Sequence, residues 1–91
     1  MNSGKNWELR IDEKVHDQLR KFPQRDAEPI LSVIESSSFD PYIGDVQKIR
    51  GEKNVWRRRI GAYRIFYEIN QDRKFVHVFW VERKMSKTYR R

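Results

Sequence analysis

The chain has 91 residues, of which 36% are charged and 37% hydrophobic, so it has material for one small domain with a modest core. It contains no cysteine and no apolar run of membrane-spanning length, which excludes disulfides, thiolate metal sites and a transmembrane helix. The formal net charge of +7 favours a polyanionic partner. Because the opening MNSGKNW lacks the pattern of a signal peptide, we expect a cytoplasmic protein with no membrane contact.

The first half of the chain begins with a predicted strand and a predicted helix. Residues 7–11, WELRI, alternate apolar and polar side chains, which is typical of a strand. Asp12 can cap the helix that follows, because its carboxylate can accept from a free N–H of the first turn. Apolar residues then recur at helical spacing, at Val15, Leu19 and Phe22.

A second helical pattern follows, and it contains a proline. Its apolar residues at helical spacing are Ala27, Ile30, Leu31 and Ile34. If Asp26 is the N-cap, Pro29 falls in the first turn, where its missing N–H has no intrahelical partner to lose. The next segment, SSSFDPYIGD, is predicted to be an irregular connection.

From residue 54 onward the apolar pattern has a period of two. Residues 55–60, 63–69 and 75–81 are predicted to be three consecutive strands, and their short connections make neighbouring strands antiparallel. Together with the first strand they predict an α+β domain spanning residues 1–91. In this domain two N-terminal helices pack on one face of a four-stranded, mainly antiparallel sheet.

The basic charge is concentrated in the second half. Residues 1–47 hold six Lys or Arg against nine Asp or Glu, whereas residues 48–91 hold fourteen against four. A run of charge is usually a solvated face, but so large an imbalance on one half of a small domain favours a binding surface for a polyanion.

Strand alternation indicates where the arginines of VWRRRIGAYRIFYEI point. Trp56 and Ile60 share one face of their strand, while Arg57 and Arg59 share the other. If the helices cover the Trp56 side, the two arginines lie on the open face. Arg64 emerges on the same side of the next strand, so we expect three guanidiniums to converge on one patch.

Four residues fit this scheme less simply. Arg58 falls on the core side, where it either reaches the sheet edge or pairs with a carboxylate of the acidic helices. Trp7 and Trp56 are assigned to the core, because large aromatic side chains in strands usually pack there. Trp80 has the opposite parity to its neighbours and is a candidate for exposure towards RNA or a protein partner.

Proton-transfer groups are scarce. The only histidines are His16, expected on the surface of the first helix, and His77, on the last strand. A histidine pair of the kind found in simple ribonucleases is therefore unsupported. No cluster of metal ligands is present either, so we expect neither a metal nor a cofactor.

Two segments, KIRGEKNVWRRRIGAYRIFYEI and VHVFWVERKMSKTY, resemble the RelE/ParE superfamily of toxins from toxin–antitoxin pairs, on the RelE side. The resemblance covers most of the chain. It implies a small, ribosome-dependent endoribonuclease that cleaves messenger RNA in the ribosomal A site. It also implies a cognate antitoxin that wraps around the toxin and neutralises it.

The resemblance also assigns site residues. It implies catalytic roles for Arg64, Arg83 and Tyr89, and RNA or phosphate contacts for Arg57, Arg59, Lys84, Lys87 and Arg90. Familiar RelE proteins often have lysine where this chain has Arg57 and Arg59. Arginine stays protonated in proteins, so these two residues can supply charge but cannot act as a general base.

The chemistry implied is attack of the ribose 2′-hydroxyl on the adjacent phosphorus. Fixed guanidiniums would stabilise the charge that grows in the transition state. Arg83 would act beside the leaving oxygen. Tyr89 would stack on a base or help to remove the proton, because surrounding positive charge favours its ionised form. Glu82 is a second candidate base.

Two other functions compete with this hypothesis. A ParE-like toxin would poison DNA gyrase by binding, but the joint presence of Arg64, Arg83 and Tyr89 favours the RelE side. A non-catalytic basic module would hold RNA or DNA through phosphate contacts alone, with steep salt dependence and no cleavage.

Overall fold

The computed structural model describes residues 7–84 of the chain. Its elements in chain order are β1 (Glu8–Ile11), α1 (Glu13–Arg20), α2 (Gln24–Ser36), β2 (Val46–Lys48), β3 (Val55–Ile60), β4 (Tyr63–Asn70) and β5 (Phe75–Arg83). Neither helix in this part of the chain has the length and apolar content needed to cross a membrane.

The strands form one sheet in the order β1-β5-β4-β3-β2. β1 runs parallel to β5, and all other neighbours are antiparallel. The predicted α+β class with two helices is therefore confirmed, but the predicted count of four strands was too low. The additional strand is β2, which pairs with β3, Gln47 lying opposite Arg57. Its three residues are too few to show a period, so the sequence pattern did not reveal it.

Both helices pack on one face of the sheet. Asp12 caps α1 as predicted, its carboxylate accepting from the Lys14 N–H at 3.1 Å. The core between helices and sheet contains Val15, Leu19, Ile30, Ile34, Tyr63, Ile65, Tyr67, Ile69, Val76, Val78 and Val81. Within residues 7–84 no helix covers the opposite face, which is called the open face below.

The start of α2 differs from the prediction. The helix begins at Gln24 rather than after Asp26, because the Pro23 carbonyl accepts from the N–H groups of Asp26 and Ala27, both at 2.9 Å. Pro29 consequently lies inside the helix instead of in its first turn. Pro29 has no N–H to donate to the carbonyl of Arg25, four residues earlier. Both residues are exposed, so water can satisfy that carbonyl.

A β-bulge interrupts the pairing of β4 with β5. Tyr67 pairs with Val78 and Phe66 pairs with Trp80, which leaves Phe79 as the extra residue on β5. The insertion reverses the alternation for the rest of the strand. Trp80 therefore joins the open face, and Val81 joins the core.

The connection from α2 to β2 is irregular, as predicted, and it is held against the core side of the sheet. The Tyr67 hydroxyl donates to the Pro41 carbonyl at 2.9 Å, and the Arg58 guanidinium donates to the Ile43 carbonyl at 2.9 Å. The guanidinium packs directly against Gly44, where there is no room for a Cβ and φ is +100°. Arg58 thus reaches the segment just before the edge strand β2 and pairs with a backbone carbonyl there, rather than with a carboxylate of the helices.

Candidate functional site

Three arginines of β3 and β4 lie on the open face, as strand alternation predicts. Arg59 pairs directly with Arg64, and Arg57 pairs with Phe66 one step further along the same face. Residues opposite each other on antiparallel strands have Cβ atoms about 5 Å apart. The Arg59 and Arg64 side chains therefore start as immediate neighbours, and Arg57 lies beside them. These three residues are called the arginine cluster.

Each member of the cluster has a polar neighbour that orients it. The Arg59 Nε lies 3.7 Å from Asp45 Oδ2, and the Arg64 Nη2 lies 3.2 Å from Glu82 Oε2. Arg57 donates to the side chain of Gln47 on β2. Two of these neighbours, Asp45 in the loop before β2 and Gln47 on β2, were not identified from the sequence. No signal in the sequence marks Asp45 or Gln47 for this role.

Positive charge exceeds negative charge in the cluster. Two carboxylates face three guanidiniums, and arginine cannot lose its proton in a protein. The Arg64 Nε is buried and has no hydrogen-bond partner within residues 7–84. This surplus of guanidinium donors is suited to a phosphate group, whose oxygens accept bidentate bonds from arginine.

Arg83 does not join the cluster. It pairs with Tyr63 on β4, and its guanidinium lies 5.8 Å from the centre of the Tyr63 ring. Tyr63 points into the core, so Arg83 lies on the helix side of the sheet. The implied role of Arg83 beside the leaving oxygen requires it on the face of Arg64, and the structure places it on the other face. The bulge at Phe79 is the physical reason, because it moves every later residue of β5 to the opposite face.

Lys84 takes the position that was expected for Arg83. Its N–H donates to the Ala62 carbonyl at 2.6 Å, which continues the pairing one residue beyond the end of β5. Alternation from Glu82 then places Lys84 on the open face. The remaining predicted residues, Lys87, Tyr89 and Arg90, lie outside the described residues, and their roles stay predictions.

A cavity of about 400 Å³ lies on the helix side, beside Arg83. Its lining comes from the start of α2 and from the turn between β3 and β4, and includes Arg25, Pro29, Ile60 and Tyr63. The Tyr63 hydroxyl donates to Asp26 at 2.7 Å, and this hydrogen bond, together with burial, raises the pKa of Tyr63. A tyrosine held protonated in this way is a structural donor rather than a base.

The histidines stand apart from the cluster. His16 is exposed on α1, as predicted. His77 lies on the open face with its ring nitrogens 3.7 Å from Asp12 and 3.9 Å from Glu68. His77 lies opposite Glu68, whose Cα is about 13 Å from that of Arg64, four residues away along β4. No group of three His, Asp or Glu side chains in residues 7–84 is placed to hold a metal ion.

Trp80 and Glu82 are tied to the cluster more closely than the sequence indicated. The Trp80 ring is 40% exposed, and its N–H donates to Glu82 Oε1 at 3.1 Å. The other oxygen of Glu82 binds Arg64. Sequence reasoning found nothing that fixes the direction of Glu82: alternation puts Trp80 on the same face, but Arg64 comes from a different strand.

Comparison with solved structures shows which fold this is. The toxin of the RelE–RelB complex from Pyrococcus horikoshii OT3 is 21% identical, with a TM-score of 0.77 over 90% of this chain and 99% of that chain. The RelBE2 complex from Mycobacterium tuberculosis is 21% identical, with a TM-score of 0.75 over 87% of this chain and 99% of that chain. Isolated RelE from E. coli is 20% identical, with a TM-score of 0.74 over 89% of this chain and 87% of that chain.

Comparison at the sequence level identifies the family. No curated protein matches the chain. The sequence model described as "ParE toxin of type II toxin-antitoxin system, parDE" matches residues 9–85, which cover both helices and all five strands except the first residue of β1. The chain therefore belongs to the ParE toxin family of type II toxin–antitoxin systems, within the RelE/ParE superfamily, and it has the fold of RelE toxins.

Proposed function

We propose that this toxin is a ribosome-dependent endoribonuclease that cleaves messenger RNA. The observation that carries the proposal is the pairing of Arg59 with Arg64 on the open face, with Arg57 beside them. Three guanidiniums from two adjacent strands can grip one phosphodiester and the phosphate next to it. The charge excess and the absence of a covering helix in residues 7–84 favour a polyanionic substrate.

The arginine cluster would act mainly by electrostatic stabilisation. When a 2′-hydroxyl attacks the adjacent phosphorus, negative charge grows on the phosphoryl oxygens, and donors fixed before the reaction stabilise that charge without reorganising. Arg64 is the best placed of the three, since Arg59 lies on one side of it and Glu82 on the other. Removal of one such donor typically slows a reaction about 10²–10³-fold.

Protonation of the leaving 5′-oxygen needs a donor on the same face as the cluster. We assign this position to Lys84 in place of Arg83, because Arg83 lies beside Tyr63 on the helix side. Removal of the 2′-hydroxyl proton is assigned to Tyr89, as the family resemblance implies. Glu82 is a weaker candidate because Arg64 and Trp80 already bind its two oxygens.

The scarcity of side chains that can transfer protons near the arginine cluster is consistent with dependence on the ribosome. The cluster offers charge and hydrogen-bond donors but no free imidazole, and His77 is engaged with Asp12 and Glu68 elsewhere on the face. Alignment of the 2′-oxygen with the phosphorus accounts for a large share of the barrier in such reactions. The ribosome would supply that alignment by holding messenger RNA in the A site.

The proposed protein partner is a cognate antitoxin that covers the open face. Next to the arginine cluster lies a shallow apolar depression of about 270 Å³, lined by Ile49, Glu52, Val55, Phe66 and Phe79. An amphipathic antitoxin segment would bury its apolar side chains there and present carboxylates to the arginines. Both partners would meet in the cytoplasm, where ribosomes are found.

Poisoning of DNA gyrase is the second candidate function, because the matching family is that of ParE toxins. The sequence argument against it used Arg64, Arg83 and Tyr89 together. With Arg83 on the helix side, that argument retains Arg64 and Tyr89 only.

Induced expression in cells distinguishes the candidates. An endoribonuclease toxin halts translation and produces new messenger RNA 5′ ends within ribosome-bound transcripts, whereas chromosomal DNA stays intact. Sequencing of RNA ends and of gyrase-linked DNA breaks from the same culture measures both. DNA breaks with intact messenger RNA would establish the gyrase function instead. RNA binding that weakens with salt, without any cleavage, would leave a non-catalytic module.

A further inference from the structure

Trp80 is the tryptophan whose ring faces solvent. The ring of Trp7 is 8% exposed and that of Trp56 is half-buried against the core, whereas Trp80 is 40% exposed on the open face. The bulge at Phe79 puts it there, since an uninterrupted strand would turn Trp80 inward. A large aromatic ring gains much from burial, and Trp80 differs from the other exposed aromatic residues in lying beside the arginine cluster.

The ring is fixed in position relative to the cluster. One oxygen of Glu82 accepts from the indole N–H at 3.1 Å, and the other oxygen lies 3.2 Å from the Arg64 Nη2. A single carboxylate therefore holds the aromatic ring and the guanidinium at a set separation. Trp80 lies on the strand next to that of Arg64, two residues before the residue that pairs with Arg64. Ideal strand geometry therefore puts the Cα atoms of Trp80 and Arg64 about 8 Å apart.

Further groups extend the surface around the ring. Phe66 lies directly opposite Trp80 and links it to Arg57 on the next strand. The ammonium group of Lys14 lies 5.9 Å from the centre of the Trp80 ring. The ring thus has an aromatic neighbour and cations nearby, which is the combination that binds single-stranded nucleic acid: bases stack on aromatic faces while phosphates meet positive charge.

We propose that Trp80 is the stacking platform for one unpaired base of the RNA substrate, next to the phosphodiester held by Arg59 and Arg64. This inference rests on the proposed function and specifies the substrate as single-stranded at that position. In a duplex the base is already stacked between its neighbours, so it cannot reach the indole without being unpaired. The competing hypothesis is that an apolar segment of a protein packs on the Trp80 ring instead of a base.

Binding of a dye-labelled, single-stranded oligoribonucleotide to the full-length toxin tests the inference, with fluorescence anisotropy at low salt as the measurement. Trp80→Ala should weaken binding about 10- to 100-fold, the usual effect of losing one stacked base. Trp80→Phe retains an aromatic face and should restore most of the affinity. Phe39→Ala removes another exposed ring, on the loop after α2, and should leave binding unchanged.

Cleavage of ribosome-bound messenger RNA by the same variants separates this inference from the proposed function. If wild type cleaves, Trp80→Ala should raise KM with little change in kcat. A wild type that binds RNA through Trp80 but never cleaves would overturn the proposed function and leave the stacking platform standing. Cleavage and RNA binding that are both unaffected by Trp80→Ala would overturn the platform. So would a variant that binds RNA normally but no longer binds the antitoxin.

Discussion

Arg64 has the most constrained surroundings of the cluster. Arg59 lies opposite it on β3, and Glu82 forms an ion pair with it from β5. The Arg64 Nε is buried without a hydrogen-bond partner in residues 7–84. Arginine suits this position better than lysine, because its planar fork can bind Glu82 and still present donors to a phosphate.

At the residue scale, the face on which a cation lies should decide whether it matters for cleavage. Lys84→Ala should slow cleavage of ribosome-bound messenger RNA about tenfold or more, because it removes positive charge from the open face. Arg83→Ala should have a much smaller effect, since its guanidinium lies over Tyr63. Single-turnover rates on programmed ribosomes measure both. A larger loss in Arg83→Ala would show that the helix side carries the chemistry.

At the scale of elements, the strands were predicted best where alternation is strong. In β4 every second residue, from Tyr63 to Ile69, is buried, and the sequence pattern follows this burial directly. The bulge at Phe79 could not be predicted, because aromatic and β-branched residues occupy both faces of β5 and hide the change of parity. That one residue accounts for the wrong placement of Arg83 and for the exposure of Trp80.

The loop between α2 and β2 is an element whose anchoring depends on tyrosine ionisation. Burial raises the pKa of Tyr67 to about 12, although the Arg58 guanidinium works in the opposite direction. The ordinary pKa is 10.0, so the unfolded chain ionises at lower pH than the folded one. The stability that Tyr67 contributes is therefore complete below pH 10 and is lost as pH rises towards 12.

Tyr67→Phe tests this link between loop and sheet. At pH 8 the variant should be less stable by about 1 kcal/mol, because the hydrogen bond to the Pro41 carbonyl is lost. By pH 11 this difference should largely disappear, since part of the wild type's stability depends on keeping Tyr67 protonated and the variant has no hydroxyl to ionise. Urea unfolding at the two pH values measures both free energies. A difference that stays constant between them would mean that Tyr67 has no raised pKa.

At the scale of the whole molecule, charge is divided between the two halves of the chain. Residues 1–47, which include both helices, carry nine acidic and six basic residues, whereas residues 48–91 carry four and fourteen. In the proposed function this division would attract RNA to the strand-rich half of the chain. Because the Debye length is about 8 Å at physiological ionic strength, this steering acts only near contact.

The candidate site was predicted from the sequence only in part. The arginine cluster follows from alternation in β3 and β4, since side chains at Arg57, Arg59 and Arg64 must share a face. Its supports come from distant parts of the chain, and no local pattern links Asp45 or Glu82 to an arginine. The role of Tyr89 rests on the resemblance alone.

The rate of cleavage by Arg64→Ala tests the central claim, that the arginine cluster grips the scissile phosphodiester. Arg73→Ala is the matched control, because it removes the same charge from the exposed turn between β4 and β5. On ribosomes carrying messenger RNA, Arg64→Ala should cleave about 10²–10³-fold more slowly than wild type, while Arg73→Ala should be unaffected. Equal rates for the two variants would contradict the claim.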